Sequence, residues 1–173
     1  MFRKYKGELG LGLTAFIWGS GFIGVSISLS GGLTPLQILT IRFFIGAILL
    51  GVIFFKEIKN NITKEAVIAG SMIGVFLFIA FVFQTIGISY TTASKNAFLT
   101  AINVVIVPFI GFILYKRPLD KYGIISSIIA ILGIGILSLD VDFTINFGDF
   151  LTIICAFGFA FHIFFTGEFV KKH

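Results

Sequence analysis

Apolar residues fall into six long blocks, separated by short polar stretches rich in glycine, lysine or asparagine. The first block, residues 9–29, covers about 31 Å as a helix, enough to cross a bilayer. Its competing reading is a cleaved signal peptide, since Arg3, Lys4 and Lys6 precede it and Ser28 and Ser30 are small. The block is nevertheless longer than the usual apolar region of such a peptide. Gly31-Gly32 predicts a tight turn, and Pro35 suits the first turn of a second helix over 33–55. A basic loop with Asn60-Asn61 as its turn leads to a third helix over 66–88, where Gly70 and Gly74 stand in a GxxxG spacing that lets a neighbouring backbone approach.

The stretch 87–118 carries more information. A short polar turn follows the third helix, and a fourth, 96–115, carries Asn96, Thr100 and Asn103 at i, i+4 and i+7 with Pro108 inside it. That spacing places the three polar side chains on one face, which should point into a bundle. Lys116-Arg117-Pro118 stops the helix. A fifth helix over 122–139, an acidic loop over 140–147 and a sixth helix over 150–169 complete the pattern.

Composition supports a membrane setting: 57% hydrophobic and 12% charged residues, mean hydropathy +1.08 and 23 phenylalanines, against about 25% charged residues in soluble domains. The fold class is therefore an all-α integral membrane protein, a bundle of six transmembrane helices. The net charge of +5 sits in short clusters between apolar blocks, so it reports orientation and implies no nucleic-acid partner. Of 13 basic residues, Arg3, Lys4, Lys6, Lys56, Lys59, Lys64, Lys116, Arg117, Lys121, Lys171 and Lys172 lie in the tails and even-numbered loops. The other loops hold Lys95, and Arg42 lies within a helix. By the positive-inside rule both termini are cytoplasmic, in a multi-pass protein of a bacterial inner membrane.

A weak internal repeat relates Gly7-Glu8-Leu9 with Ala15-Phe16 to Gly148-Asp149-Phe150 with Ala156-Phe157. Five helices per unit would invert the second copy in the membrane. This divides the chain into 1–145, a five-helix unit, and 146–173, the sixth helix opening a second unit.

The run Tyr90 to Thr100, the Val107-Pro108 step, Gly133-Ile134-Gly135-Ile136-Leu137, Trp18-Gly19-Ser20, and Pro35 with Arg42 resemble the EamA-like transporters of the drug/metabolite transporter superfamily. The resemblance implies ten helices in two inverted halves and the import or export of small metabolites such as amino acids by a secondary carrier. This chain stops after one half and the first helix of the next. That leaves three readings open: a truncated carrier, a nonfunctional or structural membrane fragment, and a subunit completed by a second copy or a partner chain.

All eight carboxylates lie at helix ends or in loops, which disfavours a carrier of cations built on a buried acid. Arg42, His162 and Lys95 favour anionic or zwitterionic solutes. Arg42 reads as a clamp for a substrate carboxylate or as an interhelical hydrogen bond to backbone carbonyls. Asn96, Thr100 and Asn103 line a path or hold helices together. Gln84 shares a face with Gly70, Gly74, Leu77 and Phe81 and should meet another helix. Trp18, near mid-depth, lines a cavity or simply packs, and its indole N–H needs a partner. His162 is a packed histidine or a proton relay, and Tyr90 with Lys95 forms an outer gate or a pair of interfacial anchors. Cys155 has no cysteine partner. No phosphate loop, zinc motif or nucleophile elbow is present, so an enzyme, a cofactor and a metal site are not expected. Lipid and a small solute are the expected partners.

Overall fold

The computed structural model describes residues 5–119, 121–138 and 145–171, and among these every regular element is an α-helix. Eight helices follow one another: α1 (Lys6–Ser30), α2 (Pro35–Ile53), α3 (Phe55–Asn61), α4 (Lys64–Ile88), α5 (Ala93–Thr100), α6 (Asn103–Tyr115), α7 (Lys121–Ser138) and α8 (Phe147–Val170). Residues 140–144 of the expected acidic loop, Leu139, and the basic residues Arg3, Lys4 and Lys172 lie outside the described residues.

Among the described residues five segments are long and apolar enough to cross a membrane: Gly7–Ser30, Pro35–Ile53, Lys64–Ile88, Ala93–Tyr115 and Phe147–Val170. The fifth expected helix corresponds to α7, which is apolar over the shorter stretch Lys121–Gly133.

Local chemistry explains the helix starts. Thr34 and Gln37 close a capping box around Pro35, Thr63 accepts from the Ala66 amide, and Thr92 accepts from the Lys95 amide. The Thr63 and Thr92 caps begin α4 and α5 two and three residues before the apolar periodicity predicts. Asn146 and Asp149 form a second reciprocal box that starts α8 at Phe147. At the other end of α1, the Leu33 amide reaches back to the Ser28 carbonyl while Gly32 adopts φ 91°, a left-handed turn that glycine accommodates without strain.

Two expectations need correction. The second helix does not run unbroken into a loop turning at Asn60-Asn61: it breaks at Phe54, and 55–61 form one further helical segment whose cap leads into Thr63. The fourth helix is likewise two helices. Between α5 and α6 the amides of Ala101, Ile102, Val104 and Val105 bond three residues back, a tightened turn one step before Pro108. Proline has no amide for the Val104 carbonyl and its ring crowds that carbonyl, so the strain is relieved in the preceding turn.

Helix α8 is the hub, packing on α4, α5 and α6, whereas α1 and α2 turn most of their surface outward. The α4–α8 crossing is close because small residues meet there. A Cβ on Gly148 would stand 2.6 Å from the Gly87 carbonyl oxygen, and one on Gly158 would stand 3.0 Å from Ala80 Cβ. The predicted GxxxG pair is not the contact: Gly70 and Gly74 face open space. The close approach of α4 to α8 occurs further along, at Ala80 and Gly87.

Candidate functional site

Six helices surround a cavity of about 360 Å³. Trp18 comes from α1, Arg42 from α2, Phe81 and Gln84 from α4, Thr100 from α5, Asn103 from α6 and Phe159 from α8. Each side chain reaches it for a local reason. Gln84 is one turn beyond Phe81 on the same face of α4. The tightened turn ahead of Pro108 starts α6 at Asn103 and points it inward, leaving it buried.

The aromatic wall is continuous. Trp18 and Phe159 meet edge to face at 5.7 Å between centroids, Phe159 and Phe81 at 5.1 Å, and Phe81 and Phe43 at 5.7 Å. Over the face of Phe81 lies the Arg42 guanidinium, 4.6 Å from the ring centroid. The interhelical reading of Arg42 took backbone carbonyls as partners. Instead, among the described residues the guanidinium has no carboxylate within ion-pair distance and no hydrogen-bond acceptor. A second void of about 300 Å³, lined by Gly21, Gly24, Ser28, Leu33 and Ile38, also borders Arg42. Arg42 thus stands where two voids meet, the second leading toward the 31–34 turn.

The other polar candidates bond to one another or to groups outside the cavity. Gln84 Nε2 donates to Thr100 Oγ1 at 3.3 Å, and Thr100 touches Cys155 Sγ at 3.8 Å. Asn96 is fully buried away from the cavity, where Nδ2 donates to Thr152 Oγ1 at 2.7 Å and to the Gln84 carbonyl at 3.2 Å. Of the polar stripe, then, Thr100 and Asn103 border the void, and Asn96 joins α4, α5 and α8. Lys95 lies 2.6 Å from the buried Asp149 carboxylate, which also accepts from Thr91 Oγ1 at 2.8 Å. Tyr90 is exposed and packs edge to face on Phe147 at 5.4 Å. Together these contacts fasten the α4–α5 turn to the start of α8. His162 Nδ1 is 3.1 Å from the Ile73 carbonyl oxygen, between α8 and α4, and His162 does not line the cavity.

Periodicity does not single out Phe159 as cavity wall among so many phenylalanines, nor Asp149 as the partner of Lys95. Phe81, on the Gln84 face, was the accessible signal. Among the described residues no cluster of three or more His, Cys, Asp or Glu side chains could hold a metal ion.

The arrangement suits a small solute with both an apolar part and an anionic group. Aromatic rings supply the first surface, the guanidinium the second, and Thr100 and Asn103 short-range polar contacts.

The profile of the EamA-like transporter family matches residues 5–139. A protein from Archaeoglobus fulgidus named "Uncharacterized transporter" is 35% identical over 158 residues, covering 91% of this chain and 48% of the relative. A second of the same name, from Clostridium kluyveri, is 31% identical over 141 residues, covering 76% and 44%. The chain spans about half the length of the curated relatives it matches. No solved structure matches it.

Proposed function

The chain belongs to the EamA-like transporter family, and from that premise we propose that it takes part in transmembrane transport of small metabolites, with the Trp18–Arg42 cavity as the solute site. The single observation that carries this reading is the Arg42 guanidinium, held within an apolar span over Phe81 and facing a cavity without an anionic partner among the described residues. An arginine in such a span costs about 2.5–3.5 kcal/mol, which a solute carboxylate would offset. The preferred solutes are therefore carboxylate-bearing and amino-acid-like.

The mechanism is alternating access, in which inverted repeats rock around the cavity. In this reading six helices cross a bacterial inner membrane with both termini cytoplasmic, and α8 opens the second repeat. The open faces of α1 and α2 favour a complete carrier with further helices, in the same polypeptide or in a second copy. The test is uptake by proteoliposomes given a panel of radiolabelled amino acids and organic acids. Saturable flux of at least one carboxylate-bearing solute is expected. Its absence in chain shown to be folded would mean that these helices alone do not transport.

A further inference from the structure

A different void lies between α6, α7 and α8, away from the Arg42 cavity, and holds about 390 Å³. Its shaft is apolar, walled by Val107, Pro108, Ile124, Ile163 and Phe164 and thinned by Gly111, Gly123 and Gly167. Charged side chains stand at one end only: Arg117, Glu168 and Lys171. From Ile163 to Lys171 the wall of α8 runs about 12 Å. A polar mouth over an apolar shaft of that length is the shape of an amphiphile.

The mouth is built and positive. Arg117 donates to both oxygens of Glu168, at 2.7 and 2.6 Å, and Lys171 stands 3.5 Å from the same carboxylate. Glu168 is thereby fully engaged and nearly enclosed, while Arg117 and Lys171 remain 45% and 68% exposed. Two of the five guanidinium N–H donors bond Glu168, which fixes the plane of the fork and leaves three for a further acceptor. Lys116 and Lys121 flank the site in sequence. These four cations outnumber Glu168 and Asp120, the two acids of the same segments, by two. A free phosphate would have no use for the apolar shaft, and a zwitterionic lipid would gain nothing from the surplus charge.

We propose that this slot binds one anionic phospholipid, its phosphate at Arg117 and Lys171 and the upper part of one acyl chain between Pro108, Ile124 and Phe164. The site is independent of the transport reading and requires only that the chain be embedded in a bilayer.

The test is native mass spectrometry of the purified chain in detergent, titrated separately with dioleoyl phosphatidylglycerol, dioleoyl phosphatidylcholine and inorganic phosphate. One phosphatidylglycerol should be retained, at least about fivefold more tightly than phosphatidylcholine, and Lys171→Gln should reduce that preference by about fivefold. Gly167→Leu should abolish retention of both lipids, because a Cβ there meets nothing within 4 Å and the side chain would fill the shaft without displacing backbone. Gly123→Leu on the opposite wall, also unobstructed, serves if the first variant fails to fold. Equal affinity for the two lipids would overturn the proposal. So would displacement of lipid by phosphate alone, or wild-type retention by a leucine variant of unchanged helicity.

Discussion

Arg42 lies about 10 Å along α2 from Pro35, and among the described residues its guanidinium meets an aromatic face. A cation–π contact of this kind contributes about 0.5–2 kcal/mol, less than the cost of about 2.5–3.5 kcal/mol for an arginine at the centre of a span, and the proposed solute carboxylate would make up the difference. Two buried polar atoms elsewhere are unpartnered among the described residues, Thr85 Oγ1 and Asn96 Oδ1. Thr85 is fully enclosed and its hydroxyl contributes no hydrogen bond. Thr85→Val keeps the shape and removes a buried polar atom, so the melting temperature in detergent should stay level or rise, equivalent to no more than about 1 kcal/mol. A marked fall would show that the hydroxyl has a partner. Asn96→Leu should instead lose about 0.6–1.7 kcal/mol, because it removes bonds to two helices.

At the scale of elements, α8 is held by close approach rather than by large interlocking side chains. Gly148→Ala drives a methyl into the Gly87 carbonyl and should destabilise the bundle by about 1–3 kcal/mol, whereas Gly70→Ala, with open space around its Cβ, should change little. Equal effects of the two in denaturant titrations would show that α4 turns a different face to its neighbours. The Lys95–Asp149 pair ties the ends of α5 and α8 together, and Lys95→Met leaves a buried carboxylate with fewer donors. Faster hydrogen exchange at residues 89–95 is the expected readout, while exchange at residues 103–115 should be unchanged.

The same elements show what a linear pattern conveys. Some helix ends were legible because their chemistry is local: Gly31-Gly32, Pro35 and Lys116-Arg117-Pro118 end or begin helices where they stand, whereas Asn60-Asn61, expected to turn, lies in α3. The break before Pro108 was hidden, since proline marks a disturbance without stating which turn absorbs it. Gly70-Gly74 matched a packing motif, yet Gly87 and Gly148 form the contact. Helical spacing says which residues share a face and not which face finds a neighbour. Pairings such as Lys95 with Asp149 and Arg117 with Glu168 depend on the fold and leave no periodic trace.

At the scale of the molecule, the expected solute residues divide into groups. Trp18, Arg42, Gln84, Thr100 and Asn103 gather around one space, while Tyr90, Lys95, Asn96 and His162 join helices elsewhere. The charge distribution makes its own prediction about orientation. Cys155 is fully buried and should react poorly with a membrane-impermeant thiol reagent, so cysteines introduced by Ser89→Cys and Lys59→Cys report the two sides separately. Labelling of intact cells should mark position 89 and spare position 59. The reverse would overturn the positive-inside assignment.

Whether the Arg42 cavity recognises carboxylates, as proposed, is decided by uptake into proteoliposomes carrying wild type or Arg42→Ala, with a carboxylate-bearing solute and its neutral amide compared side by side. Loss of a charge-assisted hydrogen bond should lower carboxylate uptake by about tenfold or more while the amide changes little. Equal loss for both solutes would place Arg42 in packing rather than recognition and contradict the claim.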